Sequence, residues 1–128
     1  MATKFEKDAN GRPILERTSL RYSGVMKDLA GAVVPSTDLS ALTLTWYSLA
    51  GAQAIVNARD GQNVLNANNV TIDGSGNLAW SMQPADTQIL DATLAYEWHR
   101  ALFAWTKTGG EQGKHEVDIK ITNVGKVS

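Results

Sequence analysis

Glu116 to Thr122 reads EVDIKIT, and its strict alternation of charged or polar residues with Val117, Ile119 and Ile121 limits the fold more than any other feature. A period of two is that of an extended chain with one face buried and one wet. Such a strand needs a partner for its backbone groups. Immediately before it, KTGGEQGK (Lys107 to Lys114) is a glycine-rich reversal, so Tyr96 to Thr106 is read as its hairpin mate. A competing signal runs through the same region. Leu90, Leu94, Ala95, Trp98, Ala101, Leu102 and Trp105 recur at close to helical spacing, which alone favours a helix. The hairpin reading confines helix to a short turn over about 84–90, where Pro84 can start it.

The same logic extends upstream. ALTLTWY (Ala41 to Tyr47) points Leu42, Leu44 and Trp46 one way and Thr43, Thr45 and Tyr47 the other. A first strand is expected over 18–26, a turn at Asp28 to Gly31, and a short return strand over 54–57 after Ala50-Gly51. Val70 to Ile72 and Leu78 to Met82 flank DGSGN, whose Gly and Asn accept positive φ at low cost, so they form a second hairpin. Turn signals fall roughly every ten residues and separate about seven short strands. The expected fold is all-β: an immunoglobulin-like antiparallel β-sandwich with one short helical turn. Residues 17–128 form this domain and residues 1–16 an N-terminal arm. The arm is polar apart from Phe5, Ile14 and Leu15; it is either mobile or ordered on a neighbouring molecule. Its deletion is expected to leave the domain folded.

With 128 residues, 43% of them hydrophobic and 20% charged, the chain is long enough for one core and ordinary for a soluble globular protein. A net charge of -1 argues against nucleic acid as the main partner. The absence of cysteine removes disulfides and thiolate metal sites. No stretch approaches the ~18 uninterrupted apolar residues of a membrane span, and the polar N-terminus lacks a signal core. Neither membrane nor export is expected, and synthesis is assigned to the cytoplasm.

Motifs for chemistry are incomplete. TGGEQGKH departs from the phosphate-loop spacing and lies between strands rather than before a helix. Pairing Lys114 with Thr106 sets His115 opposite Trp105 and His99 opposite Ile121, too far apart to share a zinc ion, with no third ligand near. The segments beginning at Asp60 and Asp73 lack the glutamate that completes a calcium loop, so turn formation is their expected use. No nucleophile elbow or paired-carboxylate motif is present. The chain is therefore expected to be no enzyme and to have no catalytic, metal or cofactor residues. In that register Ala101, Phe103 and Trp105 share the core face with Val117 and Ile119. Trp98, Arg100 and Leu102 turn outward beside Asp118 and Lys120. Trp and Arg are enriched in binding hot spots, which makes this outer face a candidate contact surface. The alternative is that residues 27–40 cover it, and the like-charged Arg100–Lys120 pair counts against the register.

Three segments, NARDGQNVLNANNVTIDGSGNLAW, QPADTQILD and HRALFAWTKTGGEQGKHEVDIKITNV, resemble small proteins encoded in the virion-structure gene clusters of tailed bacteriophages. Those proteins look like immunoglobulin-like sandwiches akin to N-terminal domains of some baseplate proteins. The resemblance covers roughly residues 40–125. It implies a non-enzymatic virion component on the capsid surface, at the head–tail neck or along the tail. Its partners would be major capsid, connector or tail proteins and further copies of itself in a symmetric particle. The expected interface comprises Phe5, Ile14, Leu15, Trp98, Arg100 and Leu102. The rival function is a module that binds host-surface glycan or protein through its loops, supported by Trp46, Tyr47 and the glycine-rich tips.

Overall fold

The longest hairpin joins β8 (Tyr96–Lys107) to β9 (Gln112–Thr122), antiparallel, as the alternation of EVDIKIT demands. The computed structural model describes residues 3–7, 11–28, 30–50, 52–91 and 93–124. At the reversal, the Lys107 amide donates to the Glu111 carbonyl at 2.7 Å and the Gly110 amide to the Lys107 carbonyl at 2.8 Å. Gly110 takes φ +101°, a region open to glycine. The turn is tighter than expected. Thr106 pairs with Gln112 and Ala104 with Lys114, so the ladder is shifted by two residues from the Thr106–Lys114 register. A shift of two preserves which face each side chain occupies. It also sets Trp105 opposite Gly113, whose missing side chain leaves room for the indole.

Two sheets share one core. The larger has the order β1–β9–β8–β4–β5, with β2 also on β9. It is built from β1 (Thr3–Phe5), β2 (Ile14–Leu15), β4 (Leu39–Ser48) and β5 (Gln62–Asn63) around the β8–β9 hairpin. The smaller has the order β3–β7–β6, from β3 (Leu20–Val25), β6 (Val70–Ile72) and β7 (Asn77–Met82). Alternation fixes the inward faces: Leu42, Leu44 and Trp46 of β4, Leu78, Trp80 and Met82 of β7, Ala101, Phe103 and Trp105 of β8, and Val117, Ile119 and Ile121 of β9 are all buried. Trp80 spans the layers. Its ring meets Trp46 edge-on at 5.0 Å and Phe103 at 5.9 Å, the geometry aromatic quadrupoles favour.

The DGSGN hairpin forms as expected between β6 and β7. Asp73 organises it by accepting the Ser75 and Asn77 amides at 2.8 and 3.0 Å. Three expectations need correction. The segment 54–57 makes only a single bridge, Ile55 to Tyr47, because Asn57 and Ala58 take φ of 53° and 55° and swing the chain away. Residues 84–90 form a turn without helix; the Asp86 side chain binds the Gln83 amide at 2.8 Å and closes the backbone locally. Among the described residues the only helix is a 3-10 turn at Ser36–Asp38. Third, the arm orders on its own chain. β1 and β2 run parallel to β9, Thr3–Phe5 against Val117–Ile119 and Ile14–Leu15 against Ile121–Thr122. The large sheet is thus mixed rather than wholly antiparallel.

Two buried polar clusters hold the crossings between sheets. Arg59 and Asp86 pair at 2.6 Å with side chains 4% and 0% exposed. Asp86 also accepts from Asn57 at 2.9 Å, and its carbonyl accepts the Trp46 indole N–H at 2.8 Å. Glu97 accepts the Leu90 and Asp91 amides at 3.0 and 2.7 Å and contacts His99 Nε2 at 2.8 Å. These clusters pin the irregular chain around Asn57–Arg59 and around Gln83–Asp91.

Candidate interaction face

The even-numbered residues of β8 face away from the small sheet, and their cross-strand neighbours define the outer surface of the large one. Trp98 stands beside Lys120, Arg100 beside Asp118 and Tyr47, Leu102 beside Glu116 and Thr45. All are half-buried except Asp118, which is buried. The two-residue shift replaces the expected Arg100–Lys120 clash with an ion pair. Arg100 Nε and Nη2 donate to the two Asp118 oxygens at 2.7 and 3.0 Å, a bidentate fork. Glu116 lies 3.7 Å from the same guanidinium. The hydrogen bond to Asp118 is the main reason the Arg100 pKa lies above its ordinary value.

Cations sit over the aromatic rings of this face. Lys120 Nζ is 4.3 Å from the Tyr96 centroid, and Lys4 Nζ, carried by β1, is 5.7 Å from that of Trp98. Leu49, whose amide donates to the Trp98 carbonyl at 2.9 Å, joins Leu94, Tyr96 and Trp98 around a groove of about 420 Å³. The described residues of 27–40 do not cover this region. Their tethers, Asp28 to Lys107 at 3.1 Å and the Thr108 amide to the Asp38 carbonyl at 2.8 Å, hold them at the far end of β8.

The six expected contact residues divide. Trp98, Arg100 and Leu102 share the outer face. Leu15 is exposed at 40%, but it lies on β2, at the edge of the sheet. Phe5 turns inward against the core and meets Tyr22 edge-on at 5.9 Å. Ile14 is 2% exposed and has no surface to offer a neighbour. Parity explains the split: Phe5 and Ile14 are paired with the inward residues Ile119 and Ile121. Trp46, a prop of the loop-binding alternative, is fully buried. Sequence reading placed Lys120 on this face but passed over Tyr96 and Lys4. Tyr96 was within reach, since it lies two residues before Trp98 on the same strand face. Lys4 required knowledge of the parallel β1–β9 pairing.

Two histidines lie on the inward faces of the hairpin. His99 opposes Ile119 and His115 opposes Phe103, so the histidines sit four ladder steps apart. Burial holds both imidazoles below their ordinary pKa, with the Glu97 hydrogen bond partly offsetting this at His99. His115 Nε2 meets the Tyr22 hydroxyl at 2.7 Å and so ties β9 to β3. Among the described residues no group of three or more His, Asp or Glu side chains could hold a metal ion. Compared with known protein families and with curated proteins, the chain matches none.

Proposed function

We propose that the chain is a non-enzymatic structural component of a tailed-bacteriophage virion. It docks on the capsid surface, at the neck or along the tail through the outer face of the large sheet. The observation that carries this reading is that face itself. Trp98 and Leu102 sit half-exposed in the middle of a broad sheet, flanked by the rigid Arg100–Asp118 fork. Aromatic and arginine anchors on regular strands lose little conformational freedom on contact, which suits them to a binding hot spot. In a symmetric particle such a contact recurs, and modest affinity per site suffices.

The immunoglobulin-like assignment has support in the strand order. β9–β8–β4–β5 follows the G–F–C–C′ sequence of a variable-type domain, and β3–β7–β6 follows B–E–D. β4, in the place of strand C, carries the buried Trp46 expected there. The chain departs from antibody domains in having no cysteine for the B–F disulfide, and the Trp46–Trp80 contact ties the layers instead. Mass spectrometry of purified particles tests the reading: the chain should be present in mature virions, and its absence removes the proposal. Binding of the isolated chain to a glycan array would favour the host-surface alternative.

A further inference from the structure

The two ends of the large sheet carry opposite chemistry. At the start of β8, Leu49, Leu94, Tyr96 and Trp98 line the apolar groove, with Lys4 and Lys120 over the rings. Among the described residues neither ammonium has a carboxylate partner. The one carboxylate of the groove's lining, Glu97, turns inward to His99 and the loop amides.

At the other end of β8, roughly 36 Å along the strand by its rise per residue, the balance is reversed. Lys107 lies 3.1 Å from Asp28 and 3.7 Å from Glu111, and Asp38 adds its charge to the same surroundings. Three carboxylates thus face one ammonium. Asp38 and Glu111 are exposed. Val33, bridged to Lys27, is exposed at 45% and follows the turn after Asp28.

We propose that copies of this chain associate head to tail, the acidic tip of one seating on the lysine–aromatic groove of the next. A carboxylate-rich tip complements an apolar groove flanked by ammoniums that have no carboxylate partner among the described residues. Because the two surfaces differ and lie at opposite ends of one rigid hairpin, the contact is heterologous. It propagates into a row or closes into a ring, rather than stopping at a two-fold dimer. The inference rests on reading the Trp98 region as a contact surface, and it names a second copy as the occupant of its groove end.

Sedimentation velocity on the full chain tests it, across a range of concentrations at low and high salt. The wild type should form species that grow past the dimer and recede with salt. Two variants separate the surfaces: Lys4→Glu/Lys120→Glu in the groove and Asp38→Lys/Glu111→Lys at the tip. Each alone should weaken association by about tenfold or more. Equimolar mixing should restore growth, because the acidic tip of one meets the intact groove of the other and the basic tip meets the reversed groove. That restoration also shows that both variants are folded. A wild type that stays monomeric throughout, a dimer that never grows, or variants that associate like the wild type would overturn the head-to-tail contact. Loss of Trp98→Ala chains from particles, with a free chain that stays monomeric, would retain the docking face and discard this inference alone.

Discussion

Arg59 and Asp86 meet inside the molecule as a two-point ion pair, Nε to Oδ1 at 2.6 Å and Nη2 to Oδ2 at 3.1 Å. Arg59 also donates to Gln62 at 2.7 Å and lies 5.5 Å from the Trp80 centroid. One guanidinium therefore joins the connection before β6 to the turn after β7 and closes one side of the core.

Removing one partner should be costly. Asp86→Ala strands a buried guanidinium, and Arg59→Ala strands a buried carboxylate; each is expected to cost about 3–5 kcal/mol. The Arg59→Ala/Asp86→Ala double variant should lose less than the sum of the singles, since no unpaired charge is left behind. Urea denaturation of the four proteins measures this. Additive losses would mean that the pair is not coupled.

Trp105 lies across the bare backbone of Gly113, and a methyl group there would overlap the indole ring. Gly113→Ala should cost about 1–3 kcal/mol through overpacking. Adding Trp105→Leu, which vacates the space, should return part of it. Thermal unfolding with near-ultraviolet circular dichroism reports both changes, and a neutral Gly113→Ala would show that the ring is free to move.

These two relationships mark what the sequence could and could not disclose. Period-two alternation in Leu42–Trp46, Leu78–Met82 and Val117–Ile121 exposed the strands and their inward faces, because parity is a local property. Apolar residues on both sides of β8 counterfeited a helical recurrence. Leu94, Trp98 and Leu102 face outward while Ala101 and Trp105 face inward, and only the demand of β9 for a partner separated the two readings. Register was hidden because it depends on how closely the turn closes and on the fit of Trp105 to Gly113. The Arg59–Asp86 pair was invisible for a different reason: 27 residues separate the partners, and neither stands in a motif. The arm deceived because its sparse apolar residues resemble a loose tail, until β9 supplies an edge that they can pair with.

Stability should fall in mild acid. Both imidazoles are held below their ordinary pKa by burial in the folded chain. Above about pH 6.5 they are neutral folded or unfolded and contribute no pH dependence. Below it the unfolded chain takes up protons that the folded chain refuses. Stability then declines until the lowered folded values are passed, by up to about 1.4 kcal/mol per pH unit for each histidine. Urea midpoints at pH 7.5 and 6.5 should therefore differ little, and the midpoint at pH 5.5 should be clearly lower. His115→Gln should remove about half of the slope, and a flat profile in the wild type would contradict burial of the two rings.

Deleting residues 1–16 should now destabilise the domain instead of leaving it intact. Ile14 is part of the core, and truncation of a buried isoleucine alone costs about 2–5 kcal/mol. Loss of β1 and β2 also uncovers the edge of β9, a template for unwanted strand pairing. The truncated chain should unfold at lower urea and precipitate at concentrations where Ile14→Val stays in solution. Unchanged stability would place the arm outside the fold.

Separating docking from folding requires a residue that is on the outer face and dispensable to the core. Leu102 meets that condition. It is half-buried between Glu116 and Thr45, and its neighbours along β8, Ala101 and Phe103, fill the core without it. Leu102→Glu adds a like charge beside Glu116, a loss of roughly 1 kcal/mol in a cross-strand pair, while a carboxylate at the centre of a contact is far more disruptive. The variant should therefore unfold within a few degrees of the wild type and yet be depleted from purified particles when supplied in place of it. Leu102→Met, with apolar character kept, should be incorporated normally. Full incorporation of Leu102→Glu would take the outer face of the large sheet out of the assembly contact.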